Sequence, residues 1–124
     1  MSNPNSIRNF LAEGAIAAFT IVKPGANDGG VLAAAAATDK IIGVSTDIAA
    51  ASGERCDVIL GGVADVLFGG AVTRGDPLTA DASGRAVTAA PVAGTNNRLI
   101  GFALVSGVLG DVGQVDLAQS VMQG

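Results

Sequence analysis

Residues 63–87 read Val-Ala-Asp-Val-Leu-Phe-Gly-Gly-Ala-Val-Thr-Arg-Gly-Asp-Pro-Leu-Thr-Ala-Asp-Ala-Ser-Gly-Arg-Ala-Val, and this stretch decides the fold. Short apolar runs alternate with turns at Gly69-Gly70, Gly75-Asp76-Pro77 and Asp81-Ala82-Ser83-Gly84. This close spacing is typical of short antiparallel strands and argues against a helical or α/β enzyme fold. The sequence therefore predicts an all-β fold, a small antiparallel β-barrel or sandwich with short hairpins and an extended N-terminal arm.

The composition indicates one domain with an unusual core. The chain has 124 residues, no Trp or Tyr and only four Phe, so Val, Ile, Leu and Ala must fill the interior. Almost half of the residues are apolar and only 15% are charged, which predicts exposed aliphatic surface on a monomer. We therefore expect self-association or attachment to a larger surface.

The composition and the residue pattern argue against several functional classes. The longest apolar stretch, residues 99–110, is interrupted and shorter than the ~20 residues that span a bilayer. The N-terminus lacks the features of a secretory signal. Seven scattered Lys and Arg residues and a net charge of −4 argue against nucleic-acid binding. The single Cys56 excludes an internal disulfide and a Cys/His zinc site.

The N-terminal residues are the predicted contact segment. Residues 1–6 are polar and contain Pro4, and apolar side chains follow at Ile7, Phe10 and Leu11 beside Arg8. Either residues 1–11 form an extended arm that becomes ordered on a partner, or the apolar part is an edge strand of the body. We expect Pro4, Ile7, Arg8, Phe10 and Leu11 to contact a partner surface or a neighbouring copy, and residues 12–124 to form a single β-barrel domain.

The rest of the chain divides into short segments. We predict strands at residues 15–22, 41–44 and 55–60, an extended alanine run at 33–37, and a single helical turn capped by Asp47. Residues 78–80 and 85–88 flank the turn at 81–84 and predict a hairpin. Ile41-Ile42-Gly43-Val44 is similar to Leu99-Ile100-Gly101-Phe102. This weak repeat indicates either two similar halves of a barrel or only two strands in similar environments.

No catalytic constellation accompanies these turns. The chain has no His, so Ser-His-Asp and Cys-His catalysis are absent in their usual forms. We interpret Asp28, Asp76 and Asp81 as residues that bond to nearby loop amides. The alternatives are a calcium site at Asp76 and Asp81 and a hydrolase that uses a pair of the eleven carboxylates. Cys56 alternates with apolar residues, which predicts a buried, inert thiol. We predict no enzyme, no cofactor and no metal.

A carrier or ligand-binding β module is the alternative function. Residues 69–72 and 75–78 resemble the turns of biotinyl and lipoyl carrier domains, which present a lysine at a hairpin tip. The candidate tip here, residues 81–84, has no lysine. The likeness therefore supports a small β fold more than a swinging-arm function.

An ordered set of segments resembles the capsid cement, or head decoration, family of tailed bacteriophages. The matching pieces are Ile7-Arg8-Asn9-Phe10, residues 33–38 with Ile42-Gly43-Val44-Ser45, Gly53-Glu54-Arg55 with Asp57-Val58, residues 69–78, Gly84-Arg85-Ala86-Val87 and Ile100-Gly101-Phe102-Ala103. They run in order along nearly the whole chain. Cys56 departs from the pattern, at a position that suits valine.

The resemblance implies a structural role. Such a protein is made in the host cytoplasm, binds the major capsid protein on the outer surface of the assembled head and stabilises the shell, commonly as a homotrimer. It implies no catalysis, and it transfers no functional residue, because turns that specify the fold carry the likeness.

Overall fold

The protein is an assembly of nine strands, and the computed structural model describes residues 6–124, which contain no helix. The strands are β1 (Ser6–Ala12), β2 (Ile21–Pro24), β3 (Gly30–Ala33), β4 (Gly43–Ser45), β5 (Arg55–Leu67), β6 (Pro77–Ala80), β7 (Ala86–Thr88), β8 (Asn97–Ala103) and β9 (Val112–Met122). Residues 6–124 accordingly offer no helix long enough to cross a membrane. The all-β prediction is confirmed.

The first five strands close into a small barrel. They are hydrogen-bonded in the order β1-β3-β2-β4-β5, and β1 also pairs with β5. The β1–β5 ladder is antiparallel and runs from Ser6 opposite Gly61 to Leu11 opposite Arg55. On its other side β1 pairs in parallel with β3 at two positions. Closure leaves this part of the sheet without a free edge at β1.

A second barrel follows and shares the long strand β5 with the first. Gly61 pairs with β1, whereas Gly62 pairs with Leu117 of β9 and has a φ of 90°. Glycine tolerates this positive φ, which lets one continuous strand pass from one barrel into the next. β9, β8, β6 and β7 complete the second barrel, and a parallel bridge between Phe68 and Ala86 closes it.

The two barrels are structural duplicates. The β2–β3, β2–β4 and β4–β5 pairings of the first recur as β6–β7, β6–β8 and β8–β9 in the second. Isolated antiparallel bridges also correspond, Ile16 with Ala50 and Val72 with Gly107. Ala12 and Phe68 occupy equivalent places, because each exchanges backbone hydrogen bonds with the turn before the last strand of its barrel. The weak sequence repeat thus reflects two similar halves, each a barrel of its own.

Three turns use the same local chemistry, at residues 51–54, 73–76 and 108–111. In each, the amide of the fourth residue donates to the carbonyl of the first, at 2.9–3.0 Å. The carboxylate of that fourth residue (Glu54, Asp76 or Asp111) accepts from the first residue's amide in return. The third residue is a glycine with positive φ. The Gly-Asp and Gly-Glu pairs therefore set the shape of these turns, as the sequence predicts for Asp76.

The core has two parts. One cluster fills the first barrel and consists of Ala12, Ile16, Val22, Val31, Ala50, Cys56 and Val58. The larger cluster fills the second barrel and continues between the barrels, where Ile21, Ala34, Ile41 and Val44 contribute from the first half. The shared cluster makes the two barrels one packed unit.

Side-chain size is exchanged between the duplicated cores. The small Ala12, Ala50 and Cys56 of the first barrel correspond to Phe68, Gly107 and Gly113 in the second. A Cβ built on Gly107 would lie 2.7 Å from Cδ2 of Phe68, so the ring occupies the space of the missing side chains. One large residue and two glycines thus replace three small residues, which keeps the interior densely packed.

Three local predictions need correction. Residues 15–20 are not a strand, because only Ile16 bridges there and β2 begins at Ile21. The helical turn predicted after Asp47 does not form, since Ala50 exchanges both backbone hydrogen bonds with Ile16. Only Ala33 of the alanine run belongs to a strand. Tertiary pairing therefore overrides the helical preference of alanine in both segments. The predicted hairpin, by contrast, is present as β6 and β7.

Candidate interaction surfaces

The carboxylates that sequence reasoning considered for calcium are occupied by the protein itself. Asp76 accepts hydrogen bonds from the Thr73 amide (2.9 Å) and the Thr88 hydroxyl (3.0 Å). Asp81 accepts from the amides of Ser83 and Arg85 and pairs with the Arg85 guanidinium at 2.9 Å. Among residues 6–124, no three or more acidic, His or Cys side chains come together as a metal site. The turn interpretation of both residues is confirmed.

Glu13 does the work that the sequence assigned to Asp28. Its carboxylate accepts from the amides of Ala26 and Asn27, at 2.7 and 3.0 Å, and so fixes the turn between β2 and β3. Asp28 remains exposed in that turn. A local turn pattern does not include Glu13, because it lies 13 residues before Ala26 in the chain.

Cys56 is a packing residue. It is buried on the inward face of β5, and burial raises the pKa of its thiol, with the carboxylate of Asp57 adding to that rise. A raised pKa suppresses the thiolate, the reactive form. The prediction of a buried, unreactive thiol is consistent with both observations.

A cleft of about 260 Å³ lies where β5 leaves the first barrel. Its walls are Phe19, Ser45, Thr46, Asp47, Ile59 and Asp65. The hydroxyl of Ser45 accepts from the Thr20 amide at 2.9 Å and donates to the Ala17 carbonyl at 2.8 Å. Its hydrogen bonds are therefore structural. No buried side-chain polar atom in the described part of the chain lacks a partner.

The predicted N-terminal contact segment is largely a barrel strand. Residues 6–12 form β1, paired on both sides, which agrees with the body-strand reading and differs from a free arm over this range. Pro4 lies outside the described residues.

The two faces of β1 have different roles. Arg8 and Phe10 are opposite the buried Val58 and Cys56, and Phe10 packs against the core of the first barrel. The Arg8 guanidinium lies 5.4 Å from the centroid of the Phe10 ring. At this distance the pair makes a cation–π contact within the strand. Phe10 thus serves the fold.

The other face of β1 is available for contact. Ile7 and Leu11 are 50% and 41% exposed, on the outward side of the barrel. Between them, the Asn9 amide donates to the Asp57 carboxylate at 2.9 Å. The strand therefore presents two aliphatic side chains on either side of a fixed polar pair, on a rigid support.

A larger apolar surface lies in the segment that joins β8 to β9, and sequence reasoning missed it. We define the β8–β9 patch as the five exposed side chains Leu104, Val105, Val108, Leu109 and Val112. In the sequence this apolar run suggests a membrane segment, for which it is too short. The sequence shows that the run is apolar, but only the fold shows that these side chains are exposed.

The duplicate of this segment in the first barrel has fewer aliphatic side chains. Val105 corresponds to Ile48, which is also exposed, but polar residues stand at three of the five patch positions. By the corresponding bridges and turns, Leu104, Leu109 and Val112 are equivalent to Asp47, Ser52 and Arg55. Both segments have the same turn and similar exposure. Since the same backbone forms with polar side chains at these three positions, the fold does not require Leu104, Leu109 and Val112 to be apolar.

Known proteins share both the sequence pattern and the fold. The sequence matches the family described as phage cement protein over residues 3–117. The structure is similar to the head fiber gp8.5 N base of bacteriophage phi29, with a TM-score of 0.70, 17% sequence identity, and coverage of 97% of this chain and 99% of that chain. At that identity the likeness shows the fold alone. No curated protein matches the sequence significantly.

Proposed function

The chain belongs to the phage cement protein family, and we propose that it binds the outside of the assembled head as a homotrimer and stabilises the shell. The family match confirms the resemblance found in the ordered sequence segments. It makes the chain a capsid-associated structural protein of a bacteriophage. The outer position, the major capsid protein as direct partner and the trimer belong to the proposal.

The observation that carries the proposal is exposed aliphatic surface on a rigid body. Ile7 and Leu11 project from a closed barrel, and the β8–β9 patch projects from the other barrel. The carboxylates of the turns and the hydroxyl of Ser45 are engaged within the fold. A protein of this kind is suited to binding surfaces and offers little for transforming a substrate.

Shell stabilisation follows from linkage. A protein that binds the assembled lattice and not its free subunits shifts the equilibrium toward the lattice. A trimer attached to several shell subunits needs only weak individual contacts, because attachment of one copy raises the effective concentration of the others. Modest aliphatic faces such as that of Ile7 and Leu11 are sufficient under this arrangement.

We assign one shell contact to the N-terminal segment. Of the residues predicted there, Ile7 and Leu11 are the exposed aliphatic ones. Arg8 is also exposed, but it lies on the other face of β1. Phe10 supports the strand from inside, and Pro4 lies in the preceding segment. The outward side chains of β1 therefore provide the sharpest test of this contact.

The experiment measures occupancy on purified undecorated heads by co-sedimentation. Deletion of residues 1–11 is unsuitable, because it removes the strand that closes the first barrel. The double variant Ile7→Ser, Leu11→Ser keeps the strand, and we expect at least a tenfold weaker affinity for heads. Val92→Ser, at an exposed position in the loop before β8, is the matched control. Absence of wild-type binding to heads would overturn the proposed function. Unchanged binding by the double variant would remove only the N-terminal contact.

A further inference from the structure

We infer that copies of this chain associate with one another through the β8–β9 patch. The inference rests on the proposed homotrimer and names the surface that holds it together. Its occupant is a second copy of the chain, with the patch at the centre of the contact.

Most of the aliphatic side chains of the patch are specific to one of the two duplicated segments, and only Val105 has a large aliphatic counterpart, Ile48. Val108, Leu109 and Val112 stand where the first barrel has Ala51, Ser52 and Arg55. Because both segments have the same backbone conformation, folding does not require large aliphatic side chains at these three positions. Exposed aliphatic side chains that folding does not need are typical of an interaction surface.

Charge favours a second copy as the occupant. The chain has a net charge of −4, so two copies repel one another wherever their carboxylates meet. Residues 104–112 contain one charged side chain, Asp111, whose carboxylate already accepts from the Val108 amide at 3.0 Å. The β8–β9 patch is thus a surface where identical copies meet with little repulsion.

The patch is held in place before any contact forms. Val72 and Gly107 exchange two backbone hydrogen bonds of 2.9 Å, and the Leu104 amide donates to the Gln114 carbonyl at 2.9 Å. The Ser106 hydroxyl accepts from the Arg74 amide, also at 2.9 Å. Because these bonds fix the backbone, association does not carry the entropic cost of ordering a loop.

The size of the patch fits the centre of an interface. A stable contact covers about 800 Å² on each partner, with an apolar centre and a polar rim. Five aliphatic side chains supply such a centre, and Phe102 (40% exposed) extends it along β8. Arg74, Ser106 and Gln114 lie around it as polar rim residues. In a ring of three, each copy would use this region against the next, and the ring closes after three steps.

The test exchanges the patch for its duplicate. The variant Val108→Ala, Leu109→Ser, Val112→Arg places the residues of the first barrel on the same backbone, so its fold is expected to persist. Sedimentation velocity over a range of concentrations measures association, and circular dichroism with thermal unfolding checks the fold. We expect self-association at least tenfold weaker than in the wild type. Ile48→Ser, which removes an exposed apolar side chain from the first barrel, is the control and should leave association unchanged.

The outcomes separate this inference from the proposed function. A folded triple variant that still associates like the wild type overturns the inference and leaves the homotrimer standing. A wild type that stays monomeric at all concentrations overturns both, whereas head binding is measured separately by co-sedimentation. A triple variant that keeps its oligomeric state but loses head binding also overturns the inference, because the patch then faces the shell. If the triple variant fails to fold, Leu109→Ser alone, at a 60% exposed position, gives the same comparison.

Discussion

The ring of Phe68 occupies the space into which a side chain at Gly113 would project. A Cβ built on Gly113 would lie 2.7 Å from Cε2 of Phe68 and closer still to Cζ. The equivalent positions in the first barrel hold Ala12 and Cys56, which fill the same space with two small side chains. The two residues of each pair are therefore matched in size, and the match differs between the duplicated barrels.

This relationship predicts energetic coupling. Gly113→Cys should lower the free energy of unfolding by about 1–3 kcal/mol, because it overpacks the second barrel. Phe68→Ala should lower it by about 3–5 kcal/mol through the cavity that it leaves. Combining Phe68→Ala with Gly113→Cys recreates the first-barrel pair, and the double variant should lose at least about 1 kcal/mol less than the sum of its parts. Urea unfolding at one protein concentration measures the three variants, and strict additivity would refute the size match.

Turn glycines should be sensitive for a purely conformational reason. Gly75 has a φ of 94°, and a Cβ there would have no atom within 4 Å. Gly75→Ala should therefore destabilise the fold by about 1–2 kcal/mol through backbone strain alone. Gly61→Ala is the control, since Gly61 lacks a positive φ and its nearest atom would lie 3.9 Å away. Equal effects of the two substitutions in thermal unfolding would argue against strain as the cause.

Asp39 should make stability depend on pH in acid. Burial opposes its charged form, but the Ala35 amide (2.8 Å) and the Lys23 ammonium (3.2 Å) outweigh burial and hold its pKa below the ordinary 3.8. As pH falls, the unfolded chain therefore takes up the proton first, and the stabilisation is lost through and below pH 3.8.

The variant Asp39→Asn tests this dependence. At pH 7 it should lower the free energy of unfolding by about 0.5–1 kcal/mol, the size of a partly exposed ion pair. The difference from the wild type should shrink toward zero in the acid range, because the wild-type carboxyl is then neutral as well. Asp28→Asn, in an exposed turn, is the control. A difference that stays constant from pH 7 down to pH 2 would contradict the assignment.

Cys56 should react only when the barrel opens. Because burial raises the pKa of its thiol and denies access, iodoacetamide at pH 8 should modify the folded protein at least about a hundredfold more slowly than the unfolded chain. Mass spectrometry with and without guanidinium follows the reaction. Rapid modification of the folded chain would show that β5 is accessible, contrary to the structure.

Local chemistry in the sequence was sufficient for several elements. The turn at residues 81–84 identified the β6–β7 hairpin, and alternation of Cys56, Val58 and Leu60 identified the buried face of β5. Both signals are local, because a turn or a period-2 pattern needs only neighbouring residues. From the sequence, Gly61-Gly62 is expected to interrupt the strand, whereas in the structure β5 continues through both glycines into the next barrel.

The remaining features depend on contacts far apart in the sequence. The place of β1 in the first barrel is fixed by pairing with β5, some fifty residues later, and no local pattern contains that information. For the same reason, the backbone pairing between Ala50 and Ile16, which overrides the helical preference of alanine, is not contained in any local pattern. The β8–β9 patch was invisible because Val108 and Leu109 look like core residues until the fold leaves them outside.

The most direct test of the proposed function is a cryo-electron microscopy map of heads decorated with this protein. We predict density on the outer surface of the shell, in rings of three copies with the β8–β9 patches toward the ring axis and the outward face of β1 toward the shell. Density confined to the shell interior or to the tail vertex, or separate single copies on the surface, would contradict the account.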